Sequence, residues 1–476
     1  MLSYNFKYEF KLLLRSKWIQ LLSVVLLLLF GFATYNGLQT VQKRKKDITA
    51  ARIEMKTSDT MMLKLLDSVE QGLAVSVPRW TIPSSPMAVG NYHPRVAAMD
   101  AEPTAFIATG QADLFTHFVR PKVSGDDFAL NFAEMTSPVQ LLFGSFDLAF
   151  VIVYLLPLLI IAFSYNVLSA EKESGSLRLL AAQPLRLQTW VLQKLGLRFF
   201  WLILLVLVSM IVIFALAGIN PLNQGVNFFG LFGLTTVYAL FWFALAFLVN
   251  LWIGGSAKNA VALLGLWIVF VLLAPSVLNQ LGNALYPMPS RTLMINEMRE
   301  LKTEMAEKQD EILNNFLRDH PEYALNDTTQ SRGFYHRYMA SQKLIREELA
   351  PLVNAYEDQL KKQQNWINSF KWVSPAIIAQ ESLNRMAGTS TQDYENFRAQ
   401  VVAFAADWRN HLIPLLFNNE KFTTDDVAGL PKFIFQPLQK GTPKEIIVLL
   451  VLALAILAFG FTFKTQTSTY KMLKSE

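Results

Sequence analysis

Six apolar runs, each long enough for a membrane helix, divide this chain. They fall at 18–40, 147–169, within 195–281 as three runs (about 195–219, 227–251 and 260–281), and at 443–463. A helix of about 20 apolar residues crosses a hydrocarbon core of roughly 30 Å. Between the first and second runs, and again between the fifth and sixth, the pattern turns polar for long stretches, 41–146 and 282–442. The first stretch reads as helical over 41–71. Pro78, Pro83, Pro86, Pro94 and Pro103 then break the pattern, short extended pieces such as Ala105-Phe-Ile-Ala are expected, and the apolar tail 128–146 suits the membrane surface. In the second stretch, Met294, Met298, Leu301, Met305, Ile312 and Phe316 recur at helical spacing. After His320-Pro321 the pattern resumes through Tyr338, Gln342, Ile345, Leu349, Leu352, Tyr356 and Leu360. Two amphipathic helices joined by a polar connection predict an antiparallel hairpin, with Pro351 as a possible bend.

The expected fold is therefore an all-α polytopic membrane protein, with six transmembrane helices and two large extracytoplasmic inserts, the second mainly a long helical hairpin. Residues 1–17 alternate aromatic, aliphatic and basic side chains. Phe6, Phe10, Leu13 and Leu14 fall near one face, which predicts an interfacial amphipathic helix. Lys7, Lys11, Arg15 and Lys17 precede the first run, so the amino terminus is expected in the cytoplasm. No small-residue cleavage site follows Phe30, so the first run is expected to be retained as a span. Lys43-Arg44-Lys45-Lys46 votes for the opposite orientation. Lys172, Arg178, Arg186 and Lys194 in the 170–194 segment, and Lys464, Lys471 and Lys474 in the 464–476 tail, outvote it.

Composition narrows the class. Of 476 residues, 52% are hydrophobic and 17% charged, with net charge +6 and no cysteine. Disulfides and thiolate metal sites are excluded. There is no Gly-x-x-x-x-Gly-Lys-Ser/Thr loop to hold ATP, no His-Glu-x-x-His, no Gly-x-Ser-x-Gly and no Gly-x-Gly-x-x-Gly after a strand. The chain is therefore not expected to be an enzyme, to bind a cofactor itself, or to bind nucleic acid. The apolar runs are nearly free of ionisable residues, unlike those of an ion-coupled transporter. Asp147 stands at a run's edge and is read as an interface marker. His93, His117, His320, His336 and His411 lack ligand spacing and are read as scattered surface residues. Tyr154, Ser164, Tyr165, Asn166, Thr235, Thr236 and Tyr238 could line a polar path. Contacts between neighbouring helices explain them equally well.

One stretch between the second and third runs stands apart: Glu171-Lys-Glu-Ser-Gly-Ser-Leu-Arg-Leu-Leu-Ala-Ala-Gln-Pro184. It is polar at its start, can turn at Gly175, and continues as a short amphipathic piece. From spacing alone, a docking element and a plain loop resting on the membrane are equally good readings. The stretch resembles the coupling helix of ABC type-2 exporter permeases through Glu171, Glu173, Gly175, Leu177, Leu179, Leu180 and Pro184, followed by Lys194. Tyr286-Pro-Met-Pro-Ser-Arg291 and Ser374-Pro-Ala-Ile-Ile-Ala-Gln-Glu-Ser-Leu-Asn-Arg-Met-Ala-Gly-Thr389, with Phe397 and Val401, resemble a bacterial subgroup with a large extracytoplasmic insert of undefined function. The resemblance implies a permease in the bacterial inner membrane, with both termini cytoplasmic. Its implied partners are a separate ABC ATPase subunit that carries ATP and magnesium, and a second permease copy or paralogue. It implies Glu171, Glu173, Gly175, Leu177, Arg178, Leu179 and Leu180 as the ATPase-coupling residues. Two alternatives stand beside it: a complex that transmits work to periplasmic or outer-membrane proteins without moving substrate, and a receptor or scaffold without an ATPase.

Overall fold

A computed structural model describes residues 9–11, 13–109, 116–124, 146–177, 186–220, 225–287, 290–321, 333–438 and 444–462. Six helices among them are long and apolar enough to cross a membrane: α1 (Lys17–Glu70), α3 (Leu148–Glu173), α4 (Leu187–Leu216), α5 (with an apolar core Phe228–Trp252), α6 (Ser256–Leu285) and α12 (Lys444–Thr462). Large helical loops join them, giving a polytopic helical membrane fold. The loops contain α2 (Pro86–Tyr92), α7 (Arg291–Glu307), α8 (Gln309–Asp319), α9 (Phe334–Phe370), α10 (Pro375–Ala387) and α11 (Thr391–Phe417). Strands β1 (Ala97–Ala98) and β2 (Phe118–Val119) form an antiparallel pair. The expected extended piece at 105–108 is instead a buried turn, and the extended pairing lies on either side of it. The tail at 128–146 lies outside the described residues except at Phe146.

Helix α5 is the hub of the spanning set. It touches α3, α4, α6, α10 and α12, and Tyr238, Trp242 and Phe247 along it are almost fully buried. Helix α4 begins at Leu187, eight residues before the expected 195, because Leu187, Trp190 and Val191 already pack on the span core. Exposed Val, Ile and Leu side chains line α4, α6 and α12, as expected of surfaces that a bilayer covers. Near the amino terminus, Phe10 meets the Trp201 ring edge-on at 6.3 Å and Leu13 is buried. Leu14 departs from the expected face and is exposed, whereas its neighbour on the helix packs inward.

Helix α1 does not stop at the end of its apolar run. Its buried stripe continues through Phe30, Ala33, Gly37, Val41, Arg44, Ile48 and Ala51, so one 54-residue helix spans both the apolar cluster and the outer region. Gly37 sits where the turn at Phe106 crosses: a β-carbon there would lie 2.2 Å from the Phe106 carbonyl oxygen. Arg44 explains part of the contrary basic run. It is buried and donates to the Met99 carbonyl at 2.6 Å, while Lys43, Lys45 and Lys46 are exposed.

The hairpin grows directly from the outer end of α6. Trp366 Nε1 donates to Leu278 O (3.2 Å) and Gln363 Nε2 to Tyr286 O (2.6 Å), so α9 runs antiparallel to α6 and returns to its base. Leu301, Met305, Ile312, Phe316, Ile345, Leu349 and Leu352 all join one apolar cluster. The side chains of Met294 and Met298 lie outside the description. The same cluster includes Met62 and Leu66 of α1, Met87 and Val89 of α2, and Trp408 and Leu412 of α11. The two inserts therefore build one body, called the outer body after its expected side of the membrane. Trp408 Nε1 to Gly90 O (3.3 Å) and Tyr338 OH to Ser124 O (3.0 Å) cross between them.

Candidate functional site

Two places join polar segments to the spans, one at each end of the bundle. At the first, α3 is interrupted at 165–168 and ends at Glu173. Gly175 then turns the chain with φ +77°, a conformation that glycine adopts at little cost. Glu171 accepts from Lys194 at 2.7 Å on α4, and also from Ser176. Lys194 reaches Glu9 at 3.0 Å as well, and lies 4.3 Å from the Trp190 ring centre. Glu173 accepts from the Ser256 N–H at 2.8 Å, and the Ser256 hydroxyl is 2.9 Å from its other oxygen. A carboxylate on the first N–H groups of α6 satisfies orphan donors at that helix start. Leu177 is buried and Gly175 is exposed. Arg178, Leu179, Leu180 and Pro184 lie outside the described residues.

Beneath this turn lies a buried amide network that the sequence reading missed. Asn250 of α5 donates to Ser164 O at 2.9 Å, and its carbonyl oxygen accepts from Leu168 N–H at 3.2 Å. Asn259 of α6 donates to Tyr165 O at 2.9 Å. The Ser256 hydroxyl is 2.8 Å from that of Ser169. These groups take up backbone polar atoms freed by the break in α3. In an apolar setting such atoms need partners within the protein. Asn250 and Asn259 were visible as amides at the ends of apolar runs, but a single amide there carries no sign of which carbonyl it serves. The segment starting at Glu171 is thus tied to α4 and α6, and the break in α3 just before it to α5 and α6.

At the other end, α10 leaves the outer body and packs among the spans, against α3, α5, α6 and α12. The sequence reading placed all of 282–442 in the outer insert. The helix lies in the span core because Ala376, Ile378, Ala379 and Leu383 present a fully apolar face, and α10 is short enough to fit between α5 and α12. Its entry is fixed by Ser374. This hydroxyl accepts from Ile377 N–H (3.3 Å), capping α10, and donates to Phe270 O at 2.6 Å. Phe270 lies in a π-helical stretch of α6, Ile268–Leu273, where Ala274 N–H pairs five residues back and Pro275 has no N–H to offer next. Helix α3 repeats the arrangement. Its π-helical stretch Val151–Leu155 precedes Pro157, and the buried Tyr238 hydroxyl donates to Val153 O at 2.9 Å.

Four charges close this end. Arg385 binds Glu445 at 2.9 Å and Glu381 at 2.8 Å, while Lys371 binds Glu381 at 2.9 Å and approaches Glu445 to 3.7 Å. They link the foot of the hairpin, α10 and the first turn of α12. On its inner flank, Thr104 donates to Met386 O (2.9 Å) and Thr389 to Ala108 O (2.7 Å), so the turn at 104–109 is laced to the end of α10. Asp147 is buried rather than a marker at the surface. It caps α3 through Phe150 N–H (2.8 Å) and accepts from Thr109 N–H (2.8 Å).

Several other polar residues from the sequence reading have local partners, whereas the buried Thr236 hydroxyl has none among the described residues. Ser164 and Thr235 donate to carbonyls four residues back, and no continuous polar path follows from them. His93 meets Ser58 at 2.7 Å and His336 meets Leu416 O at 3.1 Å. Burial, reinforced by nearby Arg44, pulls the His117 imidazole down to about 3. Among the described residues, no group of three His, Cys, Asp or Glu side chains could hold a metal ion.

Residues 291–436 match the model of a family described as Domain of unknown function (DUF3526). That stretch runs from the start of α7 through α11 and includes the hairpin and α10. No curated protein and no solved structure matches the chain.

Proposed function

We propose that this chain is the membrane-spanning permease subunit of an ATP-driven ABC transporter, an exporter in the bacterial inner membrane. It works with a separate ATPase subunit and with a second copy or a paralogue of itself. Both termini and the segment around Glu171–Leu177 lie in the cytoplasm, and the outer body formed by the two inserts lies outside. One observation carries this reading: the turn that resembles a coupling helix is bonded to α4 through Lys194 and to α6 through Ser256, and the break in α3 just before it is held by Asn250 of α5 and Asn259 of α6. A push on that turn would reach α4, α5 and α6 without loss in a slack loop. Because Glu171 and Glu173 already serve Lys194 and Ser256, their role is to set the turn's shape. Leu177 and the residues after it, Arg178, Leu179 and Leu180, would meet the ATPase, a helix-in-groove contact. ATP binding closes the ATPase pair, and its preference for the closed state is the source of the work.

A second version of the same reading moves no substrate and delivers the work to an envelope partner outside. The interlocked outer body and the charge quartet at α10 support it, since both would carry a rigid displacement outward. The test is ATPase activity of the purified complex. Leu179→Asp should abolish permease-dependent stimulation of ATP hydrolysis while the chain remains folded. Unchanged stimulation would remove this turn as the coupling element.

A further inference from the structure

A cavity of about 310 Å³ opens beside α10, between the π-helical stretches of α3 and α6 and the hairpin foot. Ligand pockets start near this size, at about 300 Å³. One wall is apolar and belongs to Val153, Val271, Pro275, Ile367, Ala376 and Ile377. It continues onto the exposed apolar side of α6 at Ile268 and Leu272. The rest of the lining is polar or charged. Among the described residues, nothing pairs with the Tyr154 hydroxyl, the Gln364 amide, the Thr391 hydroxyl or the Gln392 amide, all of which line the cavity. Gln392 is exposed at the mouth.

The charges here are already matched. Arg385, the cation in the lining, holds Glu381 and Glu445, and Lys371 behind it serves the same two carboxylates. An anionic head would meet the Glu381 carboxylate with no cation to spare, and a cationic head would meet Arg385. What remains available is uncharged hydrogen bonding next to an apolar wall. We propose that this cavity binds an amphiphile whose head is uncharged and bears hydroxyl groups, a glyceryl or glycosyl head, with its acyl chain lying along α3 and α6. The amides and hydroxyls both donate and accept, which suits hydroxyl groups. The inference stands on the cavity alone and does not require the ATPase.

The test uses the full chain reconstituted in phosphatidylcholine nanodiscs with a monoacylglycerol carrying a diazirine in its acyl chain. The comparison probe is the fatty acid of the same chain, whose head is a carboxylate. Photolabelling followed by peptide mass spectrometry should mark 271–275, 364–367 and 376–377, at least fivefold more with the monoacylglycerol. Thr391→Val and, separately, Gln392→Leu at the exposed mouth should each reduce that labelling severalfold, with elution and thermal unfolding unchanged. Equal labelling by the two probes would overturn the uncharged head. Absence of label on these peptides, or label unaffected by both variants, would overturn the site.

Discussion

The two ends of the spanning bundle are fastened in different ways. At the Glu173 end, neutral hydrogen bonds from Asn250 and Asn259 hold a broken helix, and Lys194 pairs there with two partly exposed carboxylates, Glu171 and Glu9. At the α10 end, four charges form a closed set around a helix whose apolar face is fully buried. Neutral bonds between membrane helices are individually weak, on the order of 0.6 kcal/mol and at most about 2. Breaking a buried ion pair by removing one partner is far costlier, about 3–5 kcal/mol. By these magnitudes the first end is the more easily opened and the second the more tightly held.

The strongest way to break that contrast is to open the quartet. Glu445→Leu leaves Arg385 and Lys371 sharing Glu381 and should lower stability by about 3 kcal/mol. Thermal unfolding in detergent measures this, and pairing it with Arg385→Met should recover part of the loss. A loss below that of an Asn259 variant would reverse which end is the more tightly held. Next, Gly37→Leu places side-chain atoms against the Phe106 carbonyl and should cost about 2 kcal/mol, by pushing α1 off the 104–109 turn. Protease sensitivity between residues 71 and 86 should rise with it.

The outer body should also respond to acid. His117 is held neutral when folded, its pKa lowered to about 3, and takes a proton near 6.5 when unfolded. Stability is therefore full above the unfolded value and falls as pH drops from 6.5 toward 3. The loss at pH 5.5 is about 1.4 kcal/mol. His117→Phe should flatten the pH dependence of unfolding over that window, and an unchanged slope would show that other groups set it. The smallest effects belong to the carbonyls beside the prolines. Tyr238→Phe and Ser374→Ala each leave one carbonyl without its hydroxyl, at about 1 kcal/mol each. If Ser374→Ala also changes transport or ATPase coupling, the π-helical stretch of α6 takes part in the motion and is not passive.

The sequence displayed its apolar periods plainly, so the six spanning helices and the hairpin from 291 to 370 could be read from it. Burial across different segments could not. Ala376, Ile378, Ala379 and Leu383 look like any amphipathic helix face, and only the shape of the α5–α12 groove draws them among the spans. Asp147 looked like an edge charge because its partner, Thr109, lies 38 residues away along the chain. Glu381, Arg385 and Glu445 were likewise legible as charges but not as a set, since the third comes 60 residues after the second. The turn at Glu171–Leu177 was found by its resemblance. What its carboxylates do could not be found, because Lys194 and Ser256 stand on two different helices.

The central claim is that the Glu173 end receives work from an ATPase. Purification of the tagged chain from its native membrane under mild conditions tests it most directly. The account predicts an ABC ATPase at one copy per chain, lost when Leu179 is replaced by Asp and retained when Thr391 is replaced by Val. Repeated recovery of the folded chain without any ATPase, or equal ATPase recovery with both variants, would contradict it.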